Sequence, residues 1–165
     1  MDHWSTNWCR RWTRSASTYG ESVTPLLTEN TALPRSLGYA GLIPFVGLAL
    51  LVHTSGSHVD FLRHALLAYG ACIMSFVGAV HWGIGISTSS KNRLGLGWSV
   101  VPSIAAWVAL SIDKPGSLVA MAAVLVGCLA ADLRFYKAGE LPRWYFQMRI
   151  ALTTIAALSL IAGML

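Results

Sequence analysis

Three residues carry most of the chemistry this chain could do: His81 in SFVGAVHWG (75–83), Asp132 in AADLRF (130–135) and Arg149 in FQMRIA (146–151). An imidazole, a carboxylate and a guanidinium brought together could relay a proton, hold a polar ligand, or neutralise one another as a structural ion cluster. All three sit in or beside long apolar runs, where an ionisable group is costly unless it is paired. Counting back from Lys91, His81 lies about ten residues from the nearest loop, hence in one half of an apolar segment at 1.5 Å per residue. Asp132 follows an apolar run that begins at Ser117 and would rise only about 22 Å, which puts the carboxylate at the edge of a hydrocarbon layer. Arg149 opens the last apolar run at the same level. The three are therefore expected to form a structural or functional polar cluster tying three helices together.

The elements that must position them are membrane helices. Of 165 residues, 55% are hydrophobic and only 12% charged, against roughly 25% charged in a soluble domain, and the mean hydropathy is +0.56. Apolar segments fall at about 37–53, 62–87, 94–112, 117–136 and 147–165, near the length that crosses about 30 Å of hydrocarbon. The expected fold is all-α, a polytopic bundle of five transmembrane helices, preceded by a polar tail over residues 1–34. Two segments share a basic residue, an LG pair and a proline, namely Arg35, Leu37, Pro44 and Arg93, Leu94, Pro102. These prolines are expected as tolerated kinks; a true duplication would place helix breaks in corresponding positions, as in some transporters.

With five crossings, Arg10, Arg11, Arg14, Arg35, Lys91, Arg93, Arg134, Lys137, Arg143 and Arg149 share one side, and only Arg63 and Lys114 the other. That bias places the N-terminus in the cytoplasm or a mitochondrial matrix and the C-terminus opposite. A bacterial inner membrane is expected, with a mitochondrial inner membrane as the alternative. Arg10, Arg11 and Arg14 among Ser and Thr resemble a transit peptide, whereas Asp2 and Glu21 do not.

Within the second segment, Ala71, Ser75, Ala79 and Gly83 recur every four residues, a small-residue stripe suited to helix packing. His81 lies on a neighbouring face with Gly70, Met74, Gly78 and Gly85, so Gly78 also offers close approach. Trp82, Trp144 and Tyr145 fit an interfacial aromatic belt. Trp4, Trp8 and Trp12 in the tail are candidates for anchoring to a partner.

Several functions find no support. Cys9, Cys72 and Cys128 are odd in number and far apart, so they define neither a disulfide framework nor a metal set. His53 and His64 fall beside the first loop near Asp60 and Arg63, where interfacial histidines are expected rather than a haem pair. There is no phosphate loop, nucleophile elbow or dinucleotide fingerprint, and no polar stretch long enough for a catalytic domain. No cofactor, metal or nucleic acid is indicated, and the chain is not expected to be an enzyme. Lipid and the subunits of a larger membrane complex are the expected partners; a small oligomeric transporter or channel using His81, Asp132 and Arg149 is the alternative.

The stretches GYAGLIPF (38–45), YGACIMSFVGAVHWG (69–83) and DLRFYKAGELPRWYFQMRIALT (132–153) resemble the bacterial and mitochondrial family called domain of unknown function 3429, whose eukaryotic members include transmembrane protein 69. The family pattern maps onto His81, Trp82 and Gly83, and onto Asp132, Gly139, Pro142, Trp144, Tyr145 and Arg149. The resemblance runs from about Arg35 to Leu165 and implies a small multi-spanning inner-membrane protein, without an activity attached.

Overall fold

The structure is a computed structural model, and it describes residues 32–87, 93–112 and 114–165. Every element among them is helical: α1 Ala32–Ala40, α2 Leu42–Thr54, α3 Val59–Ser87, α4 Arg93–Ile112, α5 Pro115–Lys137 and α6 Arg143–Met164. The chain divides into two units, 1–37 and 38–165. Of the first, only the opening residues of α1 are described; the second holds the helical bundle. Trp4, Trp8, Trp12, Cys9 and Lys91 lie outside the described residues.

Four stretches are long and apolar enough to cross a membrane, namely Ala32–Thr54, Val59–Gly83, Gly116–Lys137 and Arg143–Met164, and a shorter apolar helix covers Gly97–Ile112. The surface agrees with this. Ile43, Phe61, Phe76 and Trp107 are each 66–71% exposed, an arrangement that would drive aggregation in water and suits contact with lipid tails. Four hydroxyls on these helices are satisfied by their own helix. Ser75 donates to the carbonyl of Ala71, Ser111 to Trp107, Thr154 to Ile150 and Ser159 to Ile155, at 2.8–3.1 Å, the back-bonding that lets Ser and Thr reside where water is absent.

The first span, read from sequence as one run, is interrupted at Gly41. Pro44 cannot complete the bond to the carbonyl four residues earlier, and the regular hydrogen bonding of α1 ends at Ala40, although Gly41 keeps helical angles, φ −62° and ψ −14°, so the span is kinked here and continues as α2. Gly41 N–H turns back onto the Gly38 carbonyl at 3.2 Å, and the Tyr69 hydroxyl on α3 donates to the Gly41 carbonyl at 2.8 Å. The Tyr69 ring meets Phe45 edge-on at 4.9 Å. Pro102, by contrast, is buried inside an unbroken α4. The two prolines of the short repeat thus do different things.

The longest helix, α3, touches α2, α4, α5 and α6, and its Leu66, Leu67, Met74 and Val77 join Met121, Leu125 and Leu160 in one core. At Gly78 a Cβ would collide with the backbone carbonyl of Ser99 on α4; glycine lets these two helices close to backbone contact.

Two polar ties fix α3 against the last helix. At the start of α3, Arg63 donates through Nε to the Gly163 carbonyl and through Nη2 to the Met164 carbonyl, both at 2.9 Å. These carbonyls have no partner within α6, and the cation faces the negative end of its dipole. The second tie, at the opposite end of α3, is the histidine centre. From Arg63 to His81 the helix rises about 27 Å, close to the hydrocarbon thickness of a bilayer.

Candidate functional site

The centre is built by a helical hairpin. After Lys137, Gly139 takes φ +77°, Glu140 N–H reaches the Phe135 carbonyl and Gly139 N–H the Tyr136 carbonyl, each at 3.0 Å. This is the paired bonding that closes a helix with a left-handed glycine. Pro142 follows in an extended conformation and launches α6, while Tyr136 and Phe146 stack at 4.8 Å across the turn. So short a reversal sets the register of the two helices. Met121, Leu125, Cys128 and Asp132 on α5, and Leu160, Ala156, Thr153 and Arg149 on α6, are all buried, stepping by three or four residues as facing seams do. The charged pair is the layer nearest the turn.

There Arg149 Nε donates to Asp132 Oδ2 at 2.8 Å. From α3, His81 Nε2 lies 2.6 Å from Asp132 Oδ1. A carboxylate beside a guanidinium is an acceptor only, so the shared proton belongs to His81 Nε2. Asp132 therefore accepts from two helices at once. His81 and Asp132 are each 1% exposed and Arg149 5%, and Phe135 covers the imidazole at a ring separation of 5.4 Å.

The bonding is incomplete. His81 Nδ1, Arg149 Nη2 and, one turn along α6, Thr153 Oγ1 are buried without a hydrogen-bond partner. Thr153, four residues from Arg149, lies on the same face of α6, a spacing that could have added it to the candidates. Unlike Thr154, it takes no carbonyl of its own helix.

The structure places the remaining candidates as follows. Gly78 faces α4 and Ala71 is half-buried, but Ser75, Ala79 and Gly83 are exposed on this chain, and a Cβ at Gly83 would meet nothing. Close packing inside the chain thus runs along the Gly70, Met74, Gly78 and His81 face, and the neighbouring stripe is left uncovered beyond Ala71. Trp82 is half-exposed, while Trp144 and Tyr145 are partly buried with their rings edge-on at 5.9 Å. His53 and His64 are exposed. Cys72 is exposed and Cys128 buried, and no group of three metal-ligating side chains occurs among the described residues.

Long apolar helices, a lipid-compatible surface and a buried ionic centre define a polytopic helical membrane protein. The chain belongs to the family described as "Protein of unknown function (DUF3429)", whose model matches residues 30–165, as its motifs led one to expect. It is similar to Transmembrane protein 69 of Xenopus tropicalis, 33% identical over 132 residues that cover 78% of this chain and 52% of the relative. It is also similar to Transmembrane protein 69 of Mus musculus, 26% identical over 129 residues, 76% of this chain and 53% of the relative. The chain thus spans about half the length of the curated relatives it matches. No solved structure matches it.

Proposed function

We propose that this protein is a non-enzymatic accessory or assembly subunit of a larger membrane complex. Our reading places it in a bacterial inner membrane, or alternatively a mitochondrial one, with five crossings and its N-terminal tail on the cytoplasmic or matrix side. The observation that carries the reading is the outward face of α3. Ser75, Ala79 and Gly83 are exposed one helical turn apart on the helix that organises the bundle, and small residues in lipid favour close approach of another helix over contact with acyl chains. The chain's strongest polar contacts, meanwhile, hold its own helices together. Purification from native membranes in mild detergent tests this. Co-purification of defined subunits in fixed ratio is expected, lost when Ala79 and Gly83 are both replaced by Leu while the chain stays folded; a lone 17.8 kDa species would remove the proposal.

A second reading, an oligomeric transporter or channel working through His81, Asp132 and Arg149, is favoured by the unpartnered buried atoms of that centre. Its test is flux into liposomes holding the full chain. Flux unaltered by His81→Gln would end it.

A further inference from the structure

The cations of the bundle divide by what they face. Arg149 is buried against Asp132, and Arg63 donates to the carbonyls that end α6, so both are used inside the chain. Arg134, Lys137 and Arg143 instead stand exposed around the α5–α6 turn. Between positions 134 and 143 the one carboxylate is Glu140, which forms no ion pair with any of the three.

The two cations on α5 head a lipid-facing stripe. Val119, Val126, Ala130 and Lys137 are separated by seven, four and seven residues, close to whole turns of helix, and therefore line up on one face. All four are exposed, whereas Met121, Leu125, Cys128 and Asp132 on the other face are buried. Arg134 precedes Lys137 by three residues, a spacing that brings their Cβ atoms to about 5–6 Å. From Lys137 back to Val126 the helix rises about 16 Å, half of a hydrocarbon core of about 30 Å and so the depth of one leaflet. Both α5 and α6 are long and apolar enough to cross a membrane, which puts the turn between them at headgroup level. An apolar column one leaflet deep that ends at two neighbouring cations is the complement of a phospholipid, chain below and phosphate above. A zwitterionic headgroup brings its own cation to that phosphate, and an anionic one leaves the charge for the protein.

We propose that the Arg134 and Lys137 end of α5 is a binding site for the phosphate of an anionic phospholipid whose acyl chain lies along Ala130 and Val126. Basic side chains at a membrane surface each raise affinity for anionic headgroups about fivefold, and two raise it about thirtyfold. The site depends on neither the accessory role nor the His81 centre; it needs only that α5 and α6 cross the bilayer.

Native mass spectrometry of the full chain in mild detergent, titrated with phosphatidylglycerol or phosphatidylcholine of identical acyl chains, tests this. The native chain should retain phosphatidylglycerol about thirtyfold more tightly at low salt, less so as salt is added. Lys137→Gln should reduce that preference about fivefold, and Lys137→Gln with Arg134→Gln should bring the two lipids near parity. Exchanging the cations, Arg134→Lys with Lys137→Arg, should keep the preference, which separates loss of charge from disturbance of the helix. Lys114→Gln, at the exposed opposite end of α5, should leave it unchanged. A preference that survives the double Gln variant would overturn the proposal, and so would an equal loss in Lys114→Gln, which would reduce the effect to overall charge. Displacement of phosphatidylglycerol by glycerol phosphate at equal concentration would also overturn it, since that phosphate carries no acyl chain.

Discussion

Asp132 accepts a hydrogen bond from Arg149 at 2.8 Å across a hairpin whose turn occupies only residues 138–142, and the same carboxylate accepts from His81 at 2.6 Å. One side chain thereby links α3, α5 and α6. Removing one partner of a buried pair leaves the other uncompensated, at about 3–5 kcal/mol. Asp132→Ala should destabilise the protein by that order, measured by thermal or denaturant unfolding in detergent. Replacing Asp132 by Leu and Arg149 by Met together should recover a large part of the loss, since well-packed apolar residues often match a buried pair. If the double variant is no more stable than the single one, the pair is not what holds the hairpin.

Much of this arrangement is readable without coordinates. The helices follow from apolar length, and the meeting of Asp132, Arg149 and His81 follows from depth, because ionisable groups in hydrocarbon seek one another and these three share a level. What sequence cannot settle is rotation. On α3 two small-residue stripes lie on adjoining faces, and only the position of α4 makes Gly78 the point of closest approach while Ala79 and Gly83 stay outside. The kink at Gly41 depends on the same kind of knowledge. Pro44 permits either a kink or a stop, and here the run kinks at Gly41, which keeps helical angles while its carbonyl accepts from the Tyr69 hydroxyl. Arg63 could be assigned to its end of the bundle by charge alone, but its target is a pair of backbone carbonyls a hundred residues away, which no side-chain pattern announces.

The α3–α4 contact is open to a one-atom test. A methyl at position 78 would press on the Ser99 carbonyl, a backbone atom that cannot rotate aside. Gly78→Ala should therefore cost about 1–3 kcal/mol as overpacking. Gly83→Ala, with open space around it, should leave the unfolding midpoint of the isolated chain unchanged or slightly raised, since alanine is the better helix former. Equal effects at the two sites would mean that α3 and α4 do not close on Gly78.

Arg63 holds the end of α6 by donating to two carbonyls that the helix itself leaves bare. Arg63→Met keeps the length of the side chain and removes both donors. Hydrogen exchange of the amides in residues 160–165 should accelerate by about fivefold to thirtyfold, equivalent to about 1–2 kcal/mol of local stability. Exchange around Arg149, at the opposite end of the same helix, should stay slow. Uniform acceleration along α6 would point to general destabilisation in place of a local clamp.

The hairpin register rests on Gly139, whose φ of +77° lies where a Cβ is crowded. Gly139→Ala should cost about 1–2 kcal/mol, although a Cβ there would touch nothing within 4 Å. The penalty is thus purely conformational, and this separates Gly139 from Gly78, where the penalty is steric. Asn tolerates the left-handed region better than Ala, so Gly139→Asn should lose distinctly less than Gly139→Ala in the same unfolding assay. At Gly78 the order should reverse, with Asn worse than Ala because it is larger. Were Asn the worse substitution at both positions, the turn would be limited by space, and the bonds from Gly139 and Glu140 back to α5 would not be what sets Asp132 opposite Arg149.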